Sequence, residues 1–258
     1  YWNGHFDGQG AILTFARAVT NYNAAGKSAT FLDPIEGYFK DTFVKDINGG
    51  IVRQMAIELF GHCSGASRNR LAITPTQAVI NHCAESDLCQ PIRVKRFPVE
   101  KSEKEPATLE WVKAFQTAAK PHLGTYALFM FLTGCRPSEA LAIDRDKDLD
   151  LKAGTVIIRE TKVSTERKAH LPAMLVAALA NLPPVPGRPL FVYRKYIDMY
   201  WSWQHAAERA SISVLTPHCC RHGFATELLR RGVDVVTVAW LGGWASPAQV
   251  LKTYGHAI

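Results

Sequence analysis

The stretch TPHCCRHGFATELLRRGVDVVTVAWLGGWASPAQVLKTYGH, from Thr216 to His256, restricts the folds open to this chain more than any other segment. It is punctuated as consecutive helices. His218 opens a helix-like run, Asp234 caps a second that Gly242-Gly243 ends, and Ser246-Pro247 starts a third, because small polar residues and proline suit helix starts while glycine suits helix ends. Taken alone, the last two segments are an ordinary helix-turn-helix in which Tyr254 is a packing residue. The stretch also concentrates chemistry. His218 and Arg221 stand three residues apart on one helix face, followed by Trp244 and then by Tyr254 close to the chain end.

The rest of the chain sets the frame. A length of 258 residues suits two domains better than one core, and 47% hydrophobic residues with 10% aromatics exclude wholesale disorder. No run of about 18 apolar residues occurs, and YWNGHFDGQG lacks the basic-then-apolar order of a signal peptide, so a cytoplasmic protein without a membrane partner is expected. The missing initial Met reads as part of a longer natural sequence. The net charge of +7 is unevenly spread: residues 1–100 carry 10 Lys and Arg against 9 Asp and Glu, residues 101–258 carry 20 against 14. The second part is therefore the better partner for a polyanion. The six cysteines lack CxxC spacing, which reads as reduced thiols, and His218-Cys219-Cys220-Arg221-His222 reads as helix-face packing and not as a metal site.

In chain order, residues 11–24 have helical apolar spacing, Asp33-Pro34 signals a turn, a helix is expected from Asn48 to Phe60, and GHCSGAS reads as a loop. Residues 67–85 pattern as a helix burying Leu71, Ile73, Ala78 and Val79. The first part is thus a small all-helical unit, with Arg68 and Arg70 as candidate DNA-phosphate contacts or, equally, a solvated helix end, and Arg93, Lys95 and Arg96 as further candidates for touching DNA. PIRVKRFPVEKSEKEP, residues 91–106, is the linker candidate, which sets domains at 1–98 and 106–258 with 99–105 between them. Beyond it, Thr108–Ala119 and Tyr126–Thr133 read as helices. The apolar second one stops at Gly134 and restarts at Pro137, presenting Arg136 at the junction, with a surface Arg136–Glu139 pair as the plainer reading. TVIIRET, residues 155–161, and Lys168–Leu171 read as strands joined through a VSTER turn, with Lys162 at the end of the first. Pro172–Leu182 and Tyr196–Ala210 return to helix, the latter with Trp201 and Trp203 read as core.

TGCRPSEAL, the TK of RETKVSTER, TPHCCRHGFAT, LGGWASP and TYGH resemble, in this order, the sequence boxes of the tyrosine recombinases of the phage-integrase type. The resemblance covers residues 106–258 strongly and the N-terminal part by pattern alone. It implies a mostly α fold with a small β-sheet, α+β in class: a helical core-binding domain followed by a catalytic domain. It also implies that Arg136, Lys162, His218, Arg221 and Trp244 are catalytic and that Tyr254 is the nucleophile. LGG replaces the frequent LGH, so the neighbouring Trp244 must serve, and only four residues follow Tyr254. His222 and His256 flank the motif residues as supporting groups.

The chemistry of these residues is consistent with that activity. A phenol, with a pKa near 10, must be aimed and helped to lose its proton before it attacks a phosphodiester. Two guanidiniums, Arg136 and Arg221, suit the charge that develops on the non-bridging oxygens. His218 suits the phosphate or the tyrosine proton, Trp244 an N–H donor, and Lys162 the acid that protonates the departing 5′ oxygen. No cofactor and no metal is expected. By resemblance the partner is double-stranded DNA. The protein would be a homotetramer on DNA and a monomer or dimer when free, with accessory DNA-bending proteins, in a bacterial or phage nucleoid setting. A catalytically inactive DNA-binding regulator of the same fold and a type IB topoisomerase are the alternatives.

Overall fold

The computed structural model describes residues 13–100, 105–160, 165–185 and 189–255. The chain divides into two compact units, Tyr1–Ser102 and Glu103–Ile258.

In the first unit the helix starts follow the capping residues. Thr14 accepts the N–H of Arg17 ahead of α1 (Phe15–Ala24), and Asn48 accepts the N–H groups of Gly50 and Ile51 ahead of α3 (Gly49–Phe60). Between them Asp33-Pro34, expected as a turn, instead lies in the first turn of α2 (Leu32–Phe39), where proline's missing N–H would have had no intrahelical partner anyway. GHCSGAS is likewise only partly loop. Ser64 caps α4 (Gly65–Arg68), which passes through a wide π turn, Asn69–Ile73, into α5 (Thr74–Ala84).

That turn has a consequence for packing. The extra residue rotates the helix face, so Leu71 and Ala78, expected to be buried, are half-exposed, while Asn69, Ala72 and Thr76 go inside. Buried Asn69 is satisfied by the backbone of Phe97, donating to its carbonyl at 2.9 Å and accepting its N–H at 2.8 Å. The supposed linker therefore begins inside this unit. Ile92 and Val94 donate N–H groups to Asn81 and Gln77, and Val94 and Phe97 join the core of Phe15, Ile35, Val52, Met55 and Val79.

The second unit is built on α7 (Pro121–Thr133), whose residues 123–131 are all buried. A helix apolar on every side must be enclosed, and α6 (Leu109–Ala118), α10 (Ala173–Ala180) and α12 (His218–Arg230) pack against it. The remaining elements are α8 (Pro137–Ala142), α9 (Arg145–Asp148), α11 (Tyr196–Arg209), α13 (Val235–Gly242) and α14 (Pro247–Tyr254), with strands β1 (Leu149–Asp150), β2 (Thr155–Glu160) and β3 (Thr165–His170). The sheet is antiparallel in the order β1-β2-β3, pairing Thr155 with His170 and Ile158 with Arg167. The fold is mostly α with a small sheet, α+β in class.

Two sequence expectations are corrected in this unit. β3 begins at Thr165, so the Thr-Glu-Arg of VSTER is strand and not turn. Trp203 is buried, its indole donating to the Leu215 carbonyl, but Trp201 is 69% exposed. Two positions along a helix turn the side chain by about 200°, so one face cannot hold both.

Candidate active site

The site is organised by two helix ends. α7 stops because Gly134 adopts a left-handed conformation (φ 65°), and α13 stops because Gly243 does the same (φ 67°). The last carbonyls of a helix have no intrahelical partners and carry the negative end of its dipole. Three arginines take them. From α12, Arg221 donates to the carbonyls of Gly134 at 2.5 Å and Gly242 at 2.7 Å. From β3, Arg167 donates to Leu241 at 2.8 Å and Thr133 at 3.3 Å, and Arg136, at the N-cap of α8, donates to Gly243 at 3.3 Å. Glu139, buried in the first turn of α8, accepts the Arg136 backbone N–H at 2.8 Å and its guanidinium at 2.5 Å, and lies 3.7 Å from Arg167. The Arg136–Glu139 pair read from sequence as a surface contact is thus half of a partly buried network.

Aromatic rings carry the arrangement to the C-terminal helix. The Arg221 guanidinium lies 3.8 Å from the centre of the Trp244 ring, within cation–π range. A Cβ at Gly242 would fall 1.8 Å from that ring, so the absent side chain is what lets the indole lie there. Trp244 meets Tyr254 edge-on at 5.7 Å, His222 meets Tyr254 at 5.3 Å, and His218 meets His222 at 5.0 Å. Tyr254 is buried, and burial pushes its phenol up to about 12, with nearby Arg221 pulling the other way. Arg221 is pulled down to about 10, first by burial and then by the Arg136 guanidinium.

Arg136 opens onto two clefts. One, of about 420 Å³, is walled by Glu139, Arg167, Trp240 and Trp244; the other, of about 600 Å³, by Ser138, Arg194, Lys195, Tyr196 and His218. Arg136 is one-third exposed at its side chain and His218 is exposed, so both are accessible to a bound anion.

Five of the six expected catalytic residues, Arg136, His218, Arg221, Trp244 and Tyr254, come together in the second unit. Lys162 lies outside the described residues, as does His256. The expected DNA contacts all belong to the first unit. Arg68 donates to the Cys63 carbonyl and lies over the Phe97 ring, and Arg70 lies over Phe31. Arg93, Lys95 and Arg96 are exposed along a segment that buries Val94 and Phe97. The sequence reading missed Arg167. Thr-Glu-Arg shows no apolar alternation, so VSTER read as a turn and Arg167 with it; only the pairing of β3 with β2 places it opposite Ile158.

The second unit thus gathers three arginines beside a buried tyrosine and an indole, a set of charged and polar donors that can hold an anion next to a phenol. A profile of the Phage integrase family matches residues 108–258, and the chain belongs to that family. It is 32% identical over 183 aligned residues to an integrase/recombinase of Escherichia coli, covering 52% of this chain and 54% of the relative. It is 36% identical over 134 residues to the tyrosine recombinase XerD of Mycobacterium tuberculosis, covering 45% and 42%. The chain thus spans about half the length of the curated relatives it matches. Its fold resembles the Tn1549 transposon integrase in complex with circular intermediate DNA (TM-score 0.73, 16% identity, 95% of this chain and 96% of that one). It also resembles the XerH site-specific recombinase bound to its difH substrate (TM-score 0.68, 18% identity, 93% and 80%).

Proposed function

We propose that this chain is a site-specific recombinase that cleaves and rejoins double-stranded DNA through a 3′-phosphotyrosyl intermediate. The observation that carries the reading is the convergence of Arg136, Arg221 and Trp244, from three separate sequence boxes, beside the buried Tyr254. In this reading the Tyr254 oxygen attacks phosphorus as the P–O5′ bond breaks. The phenol proton passes to a base, for which His218 is the candidate, and the departing 5′ oxygen takes a proton from an acid, for which Lys162 is the candidate by resemblance. Arg136 and Arg221 hold the non-bridging oxygens, and the Trp244 N–H adds a further donor. The phosphotyrosyl bond conserves the energy needed for rejoining.

The first unit serves as the core-binding domain, with Arg68, Arg70, Arg93, Lys95 and Arg96 against DNA phosphates. The active assembly is a homotetramer on DNA, aided by DNA-bending proteins, at the nucleoid in the bacterial cytoplasm, whether the protein is of bacterial or phage origin. The DNA-bound states named for the Tn1549 integrase and XerH support DNA as the partner. No described helix is long and apolar enough to cross a membrane.

The test is incubation with a nicked duplex carrying the chain's own inverted-repeat site, followed by a denaturing gel. A covalent adduct is expected from wild type and not from Tyr254→Phe, while Arg136→Ala abolishes the adduct and keeps most of the binding. Specific binding with no adduct would leave an inactive regulator. Relaxation of supercoils without exchange between two sites would indicate a topoisomerase.

A further inference from the structure

We infer that Arg167 is a positioning residue of this site, acting through Glu139 on Arg136 and through the end of α13 on Trp244. The inference rests on the strand-cleavage reading and adds to it a residue outside the sequence boxes. Arg167 leaves β3 opposite Ile158, and its side chain is 17% exposed. One end of its guanidinium, Nη1, donates to the last carbonyl of α7, at Thr133, and to that of Leu241 in the last turn of α13. The other end, Nη2, faces Glu139 at 3.7 Å.

Each of these neighbours adjoins a group that the proposed reaction uses. Thr133 and Leu241 precede Gly134 and Gly242, the two residues whose carbonyls hold Arg221. Glu139 holds the Arg136 guanidinium and its backbone N–H. Gly243, whose carbonyl receives Arg136, packs so closely on Arg167 that a Cβ there would lie 2.7 Å from its Nε. Arg167 therefore fixes the spacing between α8 and the α7 and α13 ends. It comes from β3, the strand that follows Lys162 in sequence, and so ties that strand to Arg136 and Arg221.

A planar fork with charge suits this arrangement, since one guanidinium serves two carbonyls on one side and a carboxylate on the other. The experiment measures DNA affinity and single-turnover adduct formation separately, for wild type, Arg167→Gln, Glu139→Gln and the double variant, each verified as folded by circular dichroism. Arg167→Gln is expected to bind DNA within about twofold of wild type and to form adduct at least about tenfold more slowly, the pattern of an interaction needed at the chemical step. Because part of the effect runs through Glu139, the double variant should be less impaired than the product of the two single effects. Arg167→Lys, which keeps the charge and loses the fork, should recover part of the rate. If Arg167→Gln fails to fold, Arg167→Lys takes its place in the cycle. Adduct formation at the wild-type rate, equal loss of binding and cleavage, or strictly multiplicative effects would each overturn the inference. A wild type without any adduct would remove the strand-cleavage reading and this one with it, whereas a wild-type adduct beside an unaffected Arg167→Gln removes this one alone.

Discussion

Replacing Tyr254 by Phe should protect the second unit against alkaline unfolding by an amount that its burial sets. The phenol stands at about 12 in the folded chain against 10 when exposed, and burial is the main cause. The unfolded chain therefore releases this proton first, between pH 10 and 12, binds fewer protons than the folded one, and gains stability relative to it. The stability tied to the neutral phenol is complete below pH 10 and is lost as the pH rises towards 12. The size follows from the two-unit gap: about 1.4 kcal/mol is lost by pH 11 and about 2.7 kcal/mol well above pH 12, at about 1.36 kcal/mol per unit.

The assay is urea unfolding of wild type and Tyr254→Phe at pH 8 and pH 11, followed by far-ultraviolet circular dichroism. Other buried phenols, Tyr126 above all, also titrate late and weaken both proteins as pH rises. Their contribution cancels when the pH-dependent change in one protein is subtracted from that in the other, as does any value of the hydroxyl at pH 8. Wild type should lose about 1.4 kcal/mol more than the variant. Equal losses would mean that Tyr254 is not held in a desolvated site, and the case for a nucleophile that stays neutral until a base acts on it would fall. At pH 7.5 a phenol of this kind is ionised in only about 3 molecules per 100,000, so attack needs proton removal in place.

Three further outcomes are expected. Gly242→Ala puts a Cβ into the Trp244 ring and should displace it from Arg221, slowing adduct formation at least about tenfold with little change in DNA affinity, as read on denaturing gels and by filter binding. Trp203→Ala removes the ring that packs on Phe115 at 4.3 Å and donates to Leu215, and should cost the second unit about 3–5 kcal/mol in urea unfolding. Cys135 and Cys220 are fully buried with thiols raised by burial, the former to about 11, so a thiol reagent should modify half-exposed Cys63 first and reach these two only in denaturant.

The helix boundaries were legible where a residue's own chemistry decides them. Asn48, Asp234, Gly134 and Gly243 act locally, and each stands where its side chain, or lack of one, predicts, whereas the first helix, expected from residue 11, starts only after the Thr14 cap. What was not legible depends on the third dimension. Asn69 reads as a surface residue until the backbone of Phe97, twenty-eight positions away, supplies both of its partners. Arg167 reads as part of a turn because Thr-Glu-Arg has no apolar alternation, yet β2 pairs with it residue by residue. Trp201 and Trp203 look alike as letters, and only the helical angle between them separates core from surface. In the site, the boxes gave the residue types and their order, but no spacing rule tells that Arg221 spends its donors on two helix ends.

On the strand-cleavage reading, that use of carbonyls in place of carboxylates bears directly on catalysis. A guanidinium buried as Arg221 is, 2% exposed, needs compensation for lost hydration. A carboxylate on each arginine would supply it, but would also cancel the charge that a phosphate is meant to meet. Helix-terminal carbonyls orient the donors and offset part of the burial cost while leaving the formal charge intact. Glu139 touches both Arg136 and Arg167, so one carboxylate serves two of the three guanidiniums. Burial is the main reason the Arg221 value is lowered, and repulsion by the charges of Arg136 and Arg167 lowers it further. A bound phosphodiester would relieve that repulsion, and the gain grows as charge builds on the non-bridging oxygens. On the strand-cleavage reading, that repulsion would be relieved most where phosphorus becomes five-coordinate, which is the differential stabilisation that speeds a reaction.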